Sequence, residues 1–507
     1  MEQKTEPRRP HWPFFCCYAL VFASFSSHVF FLDRYPLPYV DEAFLYYPAI
    51  RALEGQGLTY KIRSDAPHGD SIWAYHAPFF PRTQVVAFWL MGISEFASRF
   101  TPYLAGHLAV LILCRSLLGA GLFRSAILVA LAWIGDRSHY CLLFGRMEGI
   151  CLLCETAGFI VLLKAVTTAS TKGILTASFF AGVLLGLAVG FHPVAASFPA
   201  CALVMLPLLA QRCRAQALLC LAAGGLVPIA LIFICWLPSP SASLEQFRWT
   251  LRYGEEHYKN VTLSGQWLSF IESLGRSKYW FLVLSLATIW LIVPLARGLR
   301  GRGANVPGEE LACKAFLLAS AFSVCSLCGL LLIAGKGICL YYLVYFTIWP
   351  VVAIAVSFEM GRWKGTARLV LFGLGMALFV SWVPSLGFNV QRFLDAARNY
   401  DALDRNRFAR HLRESIPEGA SVTGCPQFIL VARKAGIRFV PLPWYPESSS
   451  VPPEDYILLS EDTVLNGYSR VDPANLAARP LIREDSLAPG TKLRWSRTWL
   501  YGPMEAR

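Results

Sequence analysis

The chain has 507 residues, of which 55% are hydrophobic and only 16% charged. A soluble protein carries about a quarter charged residues, so this balance, with a mean hydropathy of +0.46 and repeated apolar runs, excludes a soluble globular chain and predicts a polytopic α-helical membrane protein. The net charge of +13 sits mainly in short loops between apolar runs, which fits membrane topology rather than nucleic-acid binding.

The first apolar run, Trp12–Leu32, has a basic flank (Lys4, Arg8, Arg9) and no small-residue cleavage site, so it is expected to stay as an anchor. A long first loop, 33–101, follows. Further spans are expected at Pro102–Leu118, Ser125–Ile134, Gly149–Val166, Ile174–Phe191, Val194–Ala210, Ala217–Leu237, Tyr279–Leu295, Ala315–Ala334, Ile338–Phe358 and Leu369–Leu386, for about eleven transmembrane helices. With a cytoplasmic N-terminus, every inside loop is basic: Arg115 and Arg124; Lys164 and Lys172; Arg212 and Arg214; Arg297, Arg300, Arg302 and Lys314; Arg362, Lys364 and Arg368. The outside turns at His192-Pro193 and Lys336 are poorer in charge, as the positive-inside rule requires. Four larger outside pieces remain: the first loop, Gly135–Glu148, Pro238–Lys278 and the tail after Gly387. In the tail, "FARHLRESIPEGASVTGCPQFILVARKAGIRFVPLP" reads as helix, turn, strand, helix, strand, and "YILLSED" as another strand. The expected division is therefore a membrane domain, 1–388, and a small α/β domain, 389–507. The 15 cysteines lie mostly within apolar runs. Cys151 with Cys154, and Cys325 with Cys328, put small apolar side chains on one helical face, and no Cys/His set completes a zinc site.

The first loop holds an adjacent acidic pair, Asp41-Glu42. After it, "AFLYYPAIRALEG" sets Phe44, Tyr47, Ile50 and Leu53 on one helical stripe that Gly55 and Gly57 end. Such a helix suits the membrane surface. A second segment, "APFFPRTQVVAFWLMGISEFASRF", is punctuated by Pro78 and Pro81 and reads as interfacial or re-entrant. The plainer reading of Asp41-Glu42 is a helix N-terminal pair that favours the dipole. The sharper reading needs partners. Arg146-Met147-Glu148 opens the fourth span on the same face, shortly after Asp136 and Arg137. Buried charges at a membrane edge are costly unless paired or functional.

In order, "VDEAFLYYPAIRAL", "YHAPFFPRTQVVAFWLMGISEFASRFTPYLAG", "GRMEG", "LLGLAVGFHPVA" and "YYLVYFTIWPVVAIA" resemble the GT-C superfamily of membrane glycosyltransferases. They are most similar to the branch of protein O-mannosyltransferases and lipid A aminoarabinose transferases. The resemblance implies a sugar donor on a polyprenyl phosphate, and a lipid, glycan or protein acceptor outside the cytoplasm. It implies a bacterial inner (plasma) membrane, and the loop charges above place the C-terminal domain outside the cytoplasm. Asp41 matches the catalytic acidic residue of the first loop. Glu148 falls at the second acidic position, where Asp is commoner. "HAPFFPR" stands where lipid A aminoarabinose transferases show a Lys-Pro-Pro-type stretch, which departs from that substrate's pattern.

The chemistry is consistent on its own terms. A polyprenyl phosphate is already a good leaving group, so one carboxylate suffices: it takes the acceptor proton while the hydroxyl attacks the anomeric carbon, with inversion. The departing phosphate needs cations. Arg146, Lys336, Arg82 and Arg63 are the candidates; Arg63 reads better as a solvated loop charge, and Lys336 reads equally as a snorkelling lysine. His76 suits acceptor, donor or metal, or a plain hydrogen bond. His192 reads first as a structural turn residue, with a place near the lipid phosphate as the alternative. Glu42 either contacts substrate or caps its helix. Tyr341 and Tyr342 fit an aromatic belt. Asp41, Glu42, Glu148 and His76 would make an oxygen-rich site for a divalent metal, though the sequence demands none. A transporter or flippase would instead show ionisable groups at mid-membrane or repeated halves; here charge keeps to the rim, with Glu155 the exception. A non-catalytic subunit of a glycosylation complex would keep the fold without needing Asp41.

Overall fold

The computed structural model describes residues 12–37, 40–59, 66–74, 78–210, 212–257, 280–300, 310–334, 340–360, 366–401, 403–442, 451, 455–461, 471, 476–486 and 497–504. The chain is mainly helical. Its helices are α1 (Trp12–Val29), α2 (Val40–Leu53), α3 (Phe79–Met91), α4 (Glu95–Gly119), α5 (Phe123–Gly135), α6 (Glu148–Thr167), α7 (Thr171–Phe191), α8 (Ser197–Leu209), α9 (Arg214–Trp236), α10 (Pro240–His257), α11 (Trp280–Arg300), α12 (Glu310–Ala334), α13 (Val344–Ser357) and α14 (Thr366–Arg398). Among the described residues, seven helices are long and apolar enough to cross a membrane, and four shorter apolar ones coincide with the remaining expected spans. Many large apolar side chains stay exposed along them, among them Leu226 and Phe233 on α9 and Phe372 and Phe379 on α14. In water that surface would be a liability; in lipid it is the required exterior.

Small residues let the helices approach. A Cβ on Gly182 of α7 would lie 2.0 Å from the Leu221 carbonyl oxygen of α9, and one on Gly224 would lie 2.0 Å from that of Phe179. With no hydrophobic drive between helices in lipid, this close van der Waals contact is what associates them.

The first loop forms both expected helices. α2 ends in two glycines, Gly55 and Gly57, with φ of 78° and 73°, a region that suits a residue without Cβ. Its burial departs from the single-stripe expectation. Phe44 and Ile50 are buried, but so are Leu45, Tyr46 and Ala49, because α2 packs on α3 on one side and on residues 426–428 of the tail on another. α3 stops at Gly92, and Ser94 then caps α4, accepting from the Ala97 N–H at 3.2 Å. α4 therefore starts well before the expected Pro102. The piece at 135–148 contains a 3-10 helix, Arg137–Leu143, and the piece after Pro238 opens with α10.

α14 runs on to Arg398, so the expected 388/389 boundary falls inside this helix. The tail continues as α15 (Arg405–Ser415), β1 (Ser421–Gly424), α16 (Ile429–Lys434), β2 (Arg438–Pro441), β3 (Tyr456–Ser460), β4 (Leu481–Ser486) and β5 (Arg497–Tyr501). The sheet order is β2-β1-β3-β5-β4. β1 pairs parallel with β2 and β3, while β5 pairs antiparallel with β3 and β4. Phe408 and Leu412 of α15, with Val431 of α16, cover the apolar face that carries Val422, Ile457 and Leu500.

Candidate active site

The chain turns over at one end of the bundle between α1 and α2, between α5 and α6, and before α13. Three of the residues singled out in the sequence meet there. Arg146 lies in the turn before α6. Its Nη1 donates to Asp41 Oδ2 at 3.2 Å, and its Nη2 and Nε donate to Glu148 Oε1 at 2.9 and 3.1 Å. One guanidinium thus bridges two carboxylates that lie 107 positions apart in the chain (148 − 41). Glu148 is 1% exposed, and its Oε2 has no hydrogen-bond partner among the described residues. The Asp41 side chain keeps 26% of its surface open.

The local fold explains this convergence. Gly149, next to Glu148, packs so tightly on α4 that a Cβ there would fall 1.9 Å from the Pro102 carbonyl oxygen. Gly145 rests on the backbone of Ser98, and Gln84 of α3 donates to the Ser98 carbonyl at 2.9 Å. The "GRMEG" turn is therefore seated on α4, and α3 is tied to the same point.

Glu42 has a different ion-pair partner from Asp41. It accepts from Arg99 Nη2 at 2.8 Å and from the Gly145 N–H at 3.3 Å, in full burial. Arg99 also donates to the carbonyls of Leu32 and Pro36, at 3.1 and 2.9 Å. This pair fixes the start of α2 against α4. Arg99 is not among the residues the sequence motifs single out, although it lies in the "SRF" stretch. The available signal was a lone arginine inside an apolar helix, which is rare without a partner.

Burial raises the Asp41 carboxyl above the ordinary range; Arg146 pulls it back down, and Glu148 pushes it up. Burial likewise raises Glu42, opposed by Arg99 and the Gly145 N–H.

The other expected residues are distributed differently. Arg82 donates to the Pro78 carbonyl at 2.8 Å, within the first turn of its own helix, and forms no ion pair with Asp41 or Glu148. His192 accepts from the Val194 N–H through Nδ1 at 3.2 Å, and its ring lies against Tyr342 and Tyr345. His76, Lys336 and Arg63 lie outside the described residues. Asp41, Glu42 and Glu148 do not converge as a metal-ligand set: an arginine separates the first from the third, and Glu42 is committed to Arg99.

This arrangement defines a polytopic membrane protein that holds a carboxylate–guanidinium site at one end of its bundle, under a helical first loop and beside a small α/β domain. The chain has the GT-C fold. No protein-family model matches it, and no curated protein matches it by sequence. Among solved structures it is similar to ArnT from Cupriavidus metallidurans bound to undecaprenyl phosphate, with 13% identity and a TM-score of 0.56, over 96% of this chain and 97% of that one. It also matches the archaeal oligosaccharyltransferase AglB from Archaeoglobus fulgidus, with 11% identity and a TM-score of 0.45, over 88% of this chain and 70% of that one.

Proposed function

We propose that this protein is a glycosyltransferase that moves a sugar from a polyprenyl-phosphate donor to an acceptor outside the cytoplasm, with inversion. The observation that carries the reading is the Asp41–Arg146–Glu148 bridge. Asp41, the partly open carboxylate, is the general base that takes the acceptor proton. Arg146 lies beside it as the cation that meets the departing phosphate. Glu148, the second acidic residue of the site, holds Arg146 in place. His76, Lys336 and Arg82 are proposed donor contacts, carried by the sequence alone. Glu42 and His192 act on the protein, the first through Arg99 and the second as a cap. The undecaprenyl phosphate named for the ArnT structure supports a lipid-phosphate donor.

One observation favours a second reading. Glu155 is fully buried in α6 and neither oxygen has a partner among the described residues. Transport through the bundle would use such a group.

The test is sugar release from a panel of polyprenyl-phosphate hexoses, pentoses and amino sugars. It uses purified protein with native membrane extract as acceptor. Wild type should transfer, and a folded Asp41→Asn variant should lose about 10²- to 10⁴-fold in rate. Equal rates would remove Asp41 as the base. No transfer from any donor would favour transport.

A further inference from the structure

The catalytic helix is gripped from the far end of the chain. α2 begins just after a turn, 30–37, that leaves α1. Arg99 of α4 holds this turn through the Leu32 and Pro36 carbonyls. The C-terminal segment holds it as well. Arg405, the first residue of α15, donates from Nη2 to the Arg34 carbonyl at 2.9 Å. Arg34 donates to the Tyr400 carbonyl at 3.0 Å, and its guanidinium lies 3.8 Å above the Tyr400 ring. Arg392 donates to the Tyr35 hydroxyl at 3.0 Å. At the other end of α2, Glu54 pairs with Arg433 of α16.

Arg405 is the unusual member of this set. It is 3% exposed, and its Nε and Nη1 have no partner among the described residues. Burial pulls it down to about 10, so it remains a cation at neutral pH. The charges that act on it are Glu95, Arg99, Glu42 and Asp33, and the Glu42–Arg99 pair belongs to this cluster. A buried guanidinium is costly to keep unless its charge is used. A domain that only needed to dock would bury an apolar side chain here instead.

We propose that Arg405 is a positioning residue: the C-terminal domain sets the start of α2, and with it Asp41, through Arg405's hold on the 30–37 turn, which Arg99 also holds and ties to Glu42. This rests on Asp41 being the base. A 1 Å misplacement of a catalytic group can cost about 100-fold in rate, so the grip acts on turnover rather than on donor affinity.

The experiment uses the full-length protein in detergent or nanodiscs, as wild type, Arg405→Met, Arg405→Lys and Asp41→Asn. Hydrogen exchange over residues 40–53 and steady-state transfer are read on the same preparations. For Arg405→Met we expect faster exchange in α2, with the helices away from α2 unchanged. We also expect kcat to fall about 10- to 100-fold at an unchanged donor KM. Arg405→Lys keeps the charge and should recover part of both. A Glu54→Arg variant should speed exchange at the end of α2, and Glu54→Arg with Arg433→Glu should reverse it. Unchanged exchange in α2 with unchanged kcat overturns the inference, as does a change confined to acceptor KM. Faster exchange in Arg405→Met, with full transfer by Asp41→Asn, marks the failure of the catalytic reading beneath it, and the positioning role falls with that reading.

Discussion

Arg146 serves two carboxylates at once, and its loss should be felt by both. Burial already raises the Asp41 carboxyl above 3.8, and Arg146 is the group that opposes the rise. A base works only when deprotonated, so the rate should climb with pH through a midpoint above 3.8. Arg146→Gln should move that midpoint further up as well as slow the reaction; a pH–rate profile of both proteins checks this. The Glu42–Arg99 pair makes a different prediction. Removing one partner of a buried ion pair strands the other, at about 3–5 kcal/mol. Arg99→Met should therefore lower the melting temperature markedly, whereas the exposed Arg115→Met should barely move it. A thermal melt in detergent separates the two.

At the level of elements, the close approach of α4 and α6 fixes where Glu148 stands. A Gly149→Val substitution drives a side chain into the Pro102 backbone, which cannot yield as a flexible side chain would. It should cost activity even in preparations that still fold, measured as transfer per folded molecule. Gly182→Leu should instead part α7 from α9 and lower stability without that selectivity. The helical elements were largely legible, because a span needs about 20 apolar residues and that demand is written locally. The acidic pair and "GRMEG" were legible as candidates, since charge at a membrane edge calls for a reason. What joins them was not. Arg99 meets Glu42 across 57 positions and Arg405 meets Arg34 across 371, and nothing local announces such partners. β4 and β5 were also missed: in "LIREDS" charged residues fill half the strand, and its pairing with β5 comes from the tertiary fold.

For the molecule as a whole, the basic loops predict one orientation. A reporter inserted at residue 212 should be active in the cytoplasm, and one fused after residue 504 should be active on the opposite side; the reverse pattern would overturn the proposed topology. The site also has a history in time, because its parts arrive far apart during synthesis. Asp41 leaves the ribosome early, its bridging arginine about a hundred residues later, and Arg405 only after every span has been made. A nascent chain thus carries both acidic groups while α2 still lacks its last restraint. On the proposed roles, an unfinished copy turns over lipid-linked sugar more slowly than a finished one, so synthesis of the C-terminal segment brings the site to full rate.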